Sequence, residues 1–155
     1  INLPDAWLVL VGDGDHLHQI RPTIENPKIV FCGNVVDPLR YIAQFDIACL
    51  PSQFPTESLP TVIIEYLYLG KPIIATDVGE IPRMLNAYSD APAGLLIDLA
   101  DTHAMAEQMK VALMRLYGNK EECARLSTNA ADAVRKFDMD TCVDAYISVY
   151  YKARQ

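Results

Sequence analysis

Five short apolar runs set the terms on which this chain can fold: Trp7 to Val11, Ile29 to Cys32, Ile47 to Leu50, Pro72 to Ala75 and Gly94 to Ile97. Each is mostly β-branched or aliphatic and continuous rather than alternating, which is how strands buried on both faces of a parallel sheet read. Their centres lie about 18 to 26 residues apart, room for a helix and two loops, and a parallel crossover needs roughly a dozen residues or more. No Asn-Gly or Asp-Gly turn joins two of these runs, since Asp13-Gly14 leads into a polar segment instead. The fold class is α/β.

The intervening segments carry helix ends. Pro60 to Leu69 opens with a proline suited to a first helical turn and stops at Gly70-Lys71-Pro72, a C-terminal glycine followed by a breaker. Pro38 opens a short helix through Gln44, and Pro82 opens another near Leu85. After Asp98 the pattern is helical throughout, with three stripes at helical spacing. Met105, Met109, Leu113 and Leu116 form the first, and Cys123, Leu126, Ala130, Val134 and Phe137 the second. Cys142, Val143, Tyr146, Val149 and Tyr150 form the third; all three stripes read as core packing, with exposure of Tyr146, Tyr150 and Tyr151 the alternative for the last helix.

A chain of 155 residues that is 51% hydrophobic is expected to be one domain with a core of its own. Its formal charge of −7 repels phosphate backbones and anionic lipid, so nucleic acid is not an expected partner. No apolar run approaches the ~20 residues of a membrane span, and no signal peptide opens the chain. Cys32, Cys49, Cys123 and Cys142 stand far apart with no Cys-x-x-Cys pair, which implies reduced thiols and a cytoplasmic setting. The chain begins at Ile1, just before a strand and without an initiator Met, so it is expected to be part of a longer protein.

In an open parallel sheet, ligands bind beyond the carboxyl ends of the strands. Those exits read Gly12-Asp13-Gly14, Gly33-Asn34, Pro51-Ser52 and Thr76-Asp77-Val78-Gly79, all small or turn-forming, so a backbone can approach a ligand at each. Gly12-Asp13-Gly14-Asp15-His16-Leu17 invites the dinucleotide pattern Gly-x-Gly-x-x-Gly, but Leu17 replaces the third glycine and no acidic residue ends a strand ~20 residues on. That argues against NAD, although the loop can still present amides to a phosphate at a helix start. His16 and His18 read as solvated, His103 has no evident partner, and no metal site is expected.

The most informative stretch is Pro55-Thr56-Glu57-Ser58-Leu59-Pro60-Thr61-Val62-Ile63-Ile64-Glu65. A carboxylate inside the run Val62 to Leu67 is costly unless something satisfies it. Helical geometry puts Glu65 one turn beyond Thr61 on the same face. The amides of Leu59, Thr61 and Val62 fall where a helix start leaves donors unpaired and favours an anion. A phosphate at those amides with a polyol hydroxyl at Glu65 makes one coherent site; the bland alternative is a Glu well placed near a helix start.

Here the sequence resembles the retaining glycosyltransferases of family 4, which have the GT-B architecture of two facing Rossmann-like domains. The family signature, two glutamates separated by seven residues, is matched by Glu57 and Glu65. From Pro55 to Ile81-Pro82 the stretch follows the family pattern nearly throughout, including Gly70-Lys71-Pro72, and Val-Gly-Asp-Gly and Phe-Cys-Gly-Asn-Val match upstream. The resemblance covers residues 1–155 as a single C-terminal, donor-binding domain, with the N-terminal acceptor domain absent. It implies a Rossmann-like parallel sheet flanked by helices on both faces, followed by an all-helical C-terminal segment.

By resemblance, Glu65 hydrogen-bonds the ribose of a UDP- or GDP-linked sugar, and Glu57, the catalytic position, sits by the transferred sugar. The backbone of Leu59, Pro60, Thr61 and Val62 lies along sugar and diphosphate, Gly12 and Gly14 let their loop approach the phosphates, and Asn34 and Val35 lie near the base. The implied reaction is transfer with retention, by front-side attack of a glycan or lipid-linked acceptor as the diphosphate leaves. It needs no protein nucleophile, metal or cofactor beyond the donor substrate. Polysaccharide biosynthesis, in the cytoplasm or at the inner face of the membrane, is the implied process.

Two departures stand out. Tyr66, Leu67 and Tyr68 replace the family's Ala and small residues, which should alter packing more than chemistry. An Arg and a Lys that the family supplies upstream to neutralise the diphosphate are not found, because the sequence starts only six residues before Trp7. The chain alone is therefore expected to be inactive. A sugar-nucleotide epimerase of the same architecture is the competing enzyme, against which the paired glutamates argue. A non-catalytic nucleotide-binding module would give Glu57 and Glu65 no reason for their spacing.

Overall fold

The computed structural model describes residues 3–154. Its contacts divide the chain into two compact units, Ile1–Gln44 and Phe45–Gln155.

In the first unit the order is β1 (Leu8–Val11), α1 (Asp15–Ile20), a short 3-10 turn, β2 (Ile29–Gly33) and α2 (Pro38–Ile42). The strands are parallel, with Leu8 opposite Ile29 and Leu10 opposite Phe31, after which the register slips so that Val11 faces Gly33. Burial on both faces, expected from the apolar runs, is not met here. Leu8 and Val30 are exposed and the other strand residues only partly buried. Each strand has a single hydrogen-bonded neighbour among the described residues.

The second unit holds β3 (Ala48–Leu50), α3 (Thr61–Tyr68), β4 (Ile73–Thr76), α4 (Ile81–Leu85) and β5 (Gly94–Ile97). After these come α5 (Thr102–Leu116), α6 (Lys120–Ala133), a 3-10 turn and α7 (Met139–Lys152). The strands run parallel in the order β3-β4-β5, and the central strand β4 is buried along its whole length. Ile74 points to one face, where it joins Ile97, Ala112, Leu116 and Leu126. Ile73 points to the other, beside Leu85 of α4. Helices thus cover both faces of this sheet, as the α/β reading required.

Local chemistry explains where α3 begins and ends. Pro60 stands at its N-cap with φ −65° and ψ 105°, one position earlier than the first-turn placement expected from sequence. At the other end Gly70 adopts φ +62°. Its N–H donates to the Leu67 carbonyl and that of Lys71 to the Tyr66 carbonyl. These two bonds are the Schellman termination that only a residue tolerant of positive φ allows cheaply.

The first two C-terminal stripes pack as expected. Met105 and Leu116 are buried, with Met109 and Leu113 against the Ile74 cluster. Leu126 and Ala130 are buried, and Cys123 lies on the same cluster. The third stripe follows the exposed alternative rather than core packing, for α7 has no buried residue, and Tyr146 and Tyr150 are each 70% exposed. Helical periodicity gives α7 an apolar face, of which Cys142, beside the preceding 3-10 turn, is half-buried while Val143, Tyr146, Val149 and Tyr150 are exposed.

Candidate functional site

Around Glu57 and α3 the second unit is built from strand exits. β3 ends at Leu50, and the loop that follows returns to the sheet through the buried Thr76 at the end of β4. The Thr76 hydroxyl donates to the Ser52 carbonyl at 2.6 Å and lies 3.3 Å from that of Leu50. Fixed in this way, Ser52 donates its own hydroxyl to Oε1 of Glu57 at 3.0 Å and accepts the Phe54 N–H at 3.2 Å. The Glu57 carbonyl accepts the Glu80 N–H at 2.8 Å. Next to it, Gly79 (φ +54°) lets the β4 exit lie directly against the Glu57 backbone.

Six of the sequence-singled residues thus fall in one stretch of this unit. Glu57 is half-buried, Leu59 is exposed, Pro60 caps α3, Thr61 and Val62 form its first turn, and Glu65 follows one turn later. The α3 N-terminus has no side-chain cap, and the N–H groups of Leu59, Thr61 and Val62 have no acceptor among the described residues. Free donors and the positive end of the helix dipole together favour an anion at this point. Glu65 is half-buried, and its carboxylate has no hydrogen-bond or ion-pair partner among the described residues. Its apolar neighbours in sequence turn inward while the carboxylate stays within reach of water, since among the described residues no buried side-chain oxygen or nitrogen lacks a partner.

Tyr66, the departure from the family pattern, is a core residue. Its ring is buried beside Ile63 and Leu67, and its hydroxyl donates to the Cys49 carbonyl of β3 at 3.3 Å. Burial, with the Cys49 and Glu65 charges adding, pushes the Tyr66 phenol up to about 12. Burial likewise pushes the Cys49 thiol up to about 11, which makes it a packing group and a poor nucleophile. Tyr68, two positions on, is exposed.

In the first unit, Gly12 and Gly33 meet at the carboxyl ends of β1 and β2, where the Gly12 N–H donates to the Gly33 carbonyl at 2.9 Å. Both have positive φ, +125° and +68°, so Gly12 is needed for the turn itself. Gly14 is extended and caps α1, with its N–H on the Asp13 carboxylate at 2.9 Å. Asn34 is exposed and Val35 partly buried just beyond Gly33. His18 is solvent-exposed, as the sequence implies, and its Nε2 lies 3.1 Å from the Asp13 carboxylate at the surface. Asp13-Gly14-Asp15 has Asp-x-Asp spacing. Among the described residues, however, no three His, Cys, Asp or Glu side chains come together to hold a metal.

Sequence reasoning named Ser52, Thr76 and Gly79 only as turn-forming exits and gave them no role. The available signal was that small hydroxyl and glycine residues occupy consecutive exits of adjacent strands, where loops must touch.

The family profile described as glycosyl transferases group 1 matches residues 2–115. An uncharacterised 41.2 kDa protein of the Klebsiella pneumoniae cps region is 29% identical over 139 residues, covering 88% of this chain and 36% of that protein. The N-acetyl-alpha-D-glucosaminyl L-malate synthase of Bacillus anthracis is 28% identical over 152 residues, covering 95% of this chain and 38% of the synthase. The chain therefore spans well under half the length of these relatives. Among solved structures, Anabaena HepE in complex with UDP superposes with a TM-score of 0.74 at 22% identity, over 97% of this chain and 42% of HepE. At that identity the likeness establishes the Rossmann-like α/β fold. No helix among the described residues is long and apolar enough to cross a membrane.

Proposed function

This chain belongs to the glycosyl transferases group 1, and from that premise we propose that it is the donor-binding part of a retaining, family 4 glycosyltransferase with a UDP- or GDP-linked sugar as donor. The observation that carries the reading is the α3 N-terminus, where uncapped amides of Leu59, Thr61 and Val62 stand one turn before the unpartnered carboxylate of Glu65. Those amides take the diphosphate, and Glu65 accepts the ribose hydroxyls. Glu57 is the catalytic position beside the transferred sugar, with the Pro60 backbone alongside. In the first unit, Gly12 and Gly14 give phosphates a close backbone approach, and Asn34 and Val35 serve the base.

Transfer proceeds with retention as an acceptor hydroxyl attacks on the face from which the diphosphate leaves. Preorganised amides stabilise the charge that builds on the leaving group, an effect worth on the order of 10²-fold per contact. No metal or further cofactor takes part. The glycan or lipid-linked acceptor binds an N-terminal domain outside this chain, in the cytoplasm, in a step of polysaccharide biosynthesis. Residues 1–155 serve as one donor domain and do not turn over alone. The UDP complex of HepE and the named activity of the Bacillus synthase favour this class of ligand and reaction. Amide chemical shifts of Leu59, Thr61 and Val62 on addition of UDP or GDP test it: selective movement of these signals supports the assignment, and indifference to both nucleotides overturns it.

A further inference from the structure

We propose that Ser52 is a positioning residue for Glu57, set in place by the buried hydroxyl of Thr76, so that sugar recognition depends on a relay Thr76–Ser52–Glu57 in which only Glu57 meets the donor. This rests on the donor-site reading above and adds to it the device that aims the carboxylate.

The geometry is directional. Thr76 is fully buried at the end of the central strand and its hydroxyl grips the Ser52 carbonyl at 2.6 Å, so β4 fixes the backbone of Ser52. Ser52 in turn spends its single hydroxyl proton on Glu57 Oε1 at 3.0 Å, while its lone pair receives the Phe54 N–H at 3.2 Å. The hydroxyl is therefore oriented by the loop before it reaches the carboxylate. Behind the side chain, the Glu57 backbone is held by the Glu80 N–H at 2.8 Å. With one carboxylate oxygen occupied by Ser52 and the main chain fixed, Oε2 is left for a ligand hydroxyl. No other side chain among the described residues hydrogen-bonds or ion-pairs with the Glu57 carboxylate. Removing Ser52 therefore releases it from a single staggered setting to several, and a carboxylate hydrogen bond is among the stronger neutral-donor bonds available.

The test compares two affinities on each variant of this chain, for UDP and UDP-glucose and for GDP and GDP-mannose. The readout is the ratio by which the sugar improves binding over the bare diphosphate. General damage to the fold weakens both ligands and leaves the ratio standing, whereas mis-aiming Glu57 lowers the ratio itself. Ser52→Ala is expected to cut it about tenfold, in line with loss of a charged-group hydrogen bond. Ser52→Thr, which keeps the hydroxyl, restores most of it, and Thr76→Val lowers it where Thr76→Ser does not. In a Glu57→Gln background, Ser52→Ala adds less than its effect alone, because both act through one carboxylate. A ratio unchanged in Ser52→Ala, or fully additive effects, overturns the relay while the donor site stands. Failure of both diphosphates to bind the unsubstituted chain overturns the donor site and the relay with it.

Discussion

A Cβ built on Gly79 would lie 1.9 Å from the carbonyl oxygen of Glu57 and 2.9 Å from its amide nitrogen. The β4 exit and the Glu57 loop therefore touch backbone to backbone, with the Glu80 N–H closing the contact. Gly79→Ala faces two penalties, since φ is +54° and the space is already filled. Gly118 is a natural control, having φ +72° but nothing within 4 Å of its missing Cβ. Chemical denaturation should show Gly118→Ala losing ~1 kcal/mol from conformation alone. Gly79→Ala should lose ~3 kcal/mol or more, as overpacking adds to the same strain. Equal losses at the two sites would refute the close contact.

Alkaline stability should decline in two overlapping steps. The Cys49 thiol and the Tyr66 phenol both have folded-state values raised by burial, to about 11 and about 12. Their neutral forms are the ones favoured by the fold, so the stabilisation is intact below the ordinary thiol and phenol ranges. Once pH passes about 9 the unfolded chain releases these protons while the folded chain keeps them, and stability falls until the folded values are passed. Urea midpoints measured from pH 8 to 12 should show this decline, and Tyr66→Phe should flatten its upper part. Tyr66→Phe should also cost ~1 kcal/mol at pH 7 by removing the bond to the Cys49 carbonyl. An identical pH profile in Tyr66→Phe would contradict the assignment.

Replacing Tyr146 and Tyr150 together by Ser should leave the unfolding free energy of this chain within ~0.5 kcal/mol, because both residues are 70% exposed and α7 has no fully buried residue. A loss above ~2 kcal/mol in denaturation would show that these rings are packed in solution.

The same helix marks where sequence reading stopped short. All five strands were legible as continuous apolar runs, because β-branched and aliphatic residues unbroken by polar ones have few other uses in a chain this size. The helix ends at Gly70 and Pro38 were legible because their backbone demands admit few residues. For α7, periodicity fixed the helix and its apolar face. It could not say whether anything covers that face, since coverage depends on residues distant in sequence. The candidate site divides in the same way. Glu65 and the open amides of α3 follow from spacing and helix geometry, and Glu57 enters through the family resemblance. The hold on Glu57 by Ser52, Thr76 and Gly79 links three strand exits and exists only after the sheet has formed. Tyr66 was foreseen as a change of packing, and its bond to Cys49 across α3 and β3 gives that change its form.

Whether Glu65 and the start of α3 form a nucleoside-diphosphate site is tested most directly by calorimetric titration of this chain with UDP and GDP, repeated on Glu65→Gln. The predicted result is that one diphosphate binds and that its affinity falls tenfold or more in the variant, ~1.4 kcal/mol for the lost ribose contact. Binding that is unaffected by Glu65→Gln, or that is matched by NAD in both proteins, would contradict it.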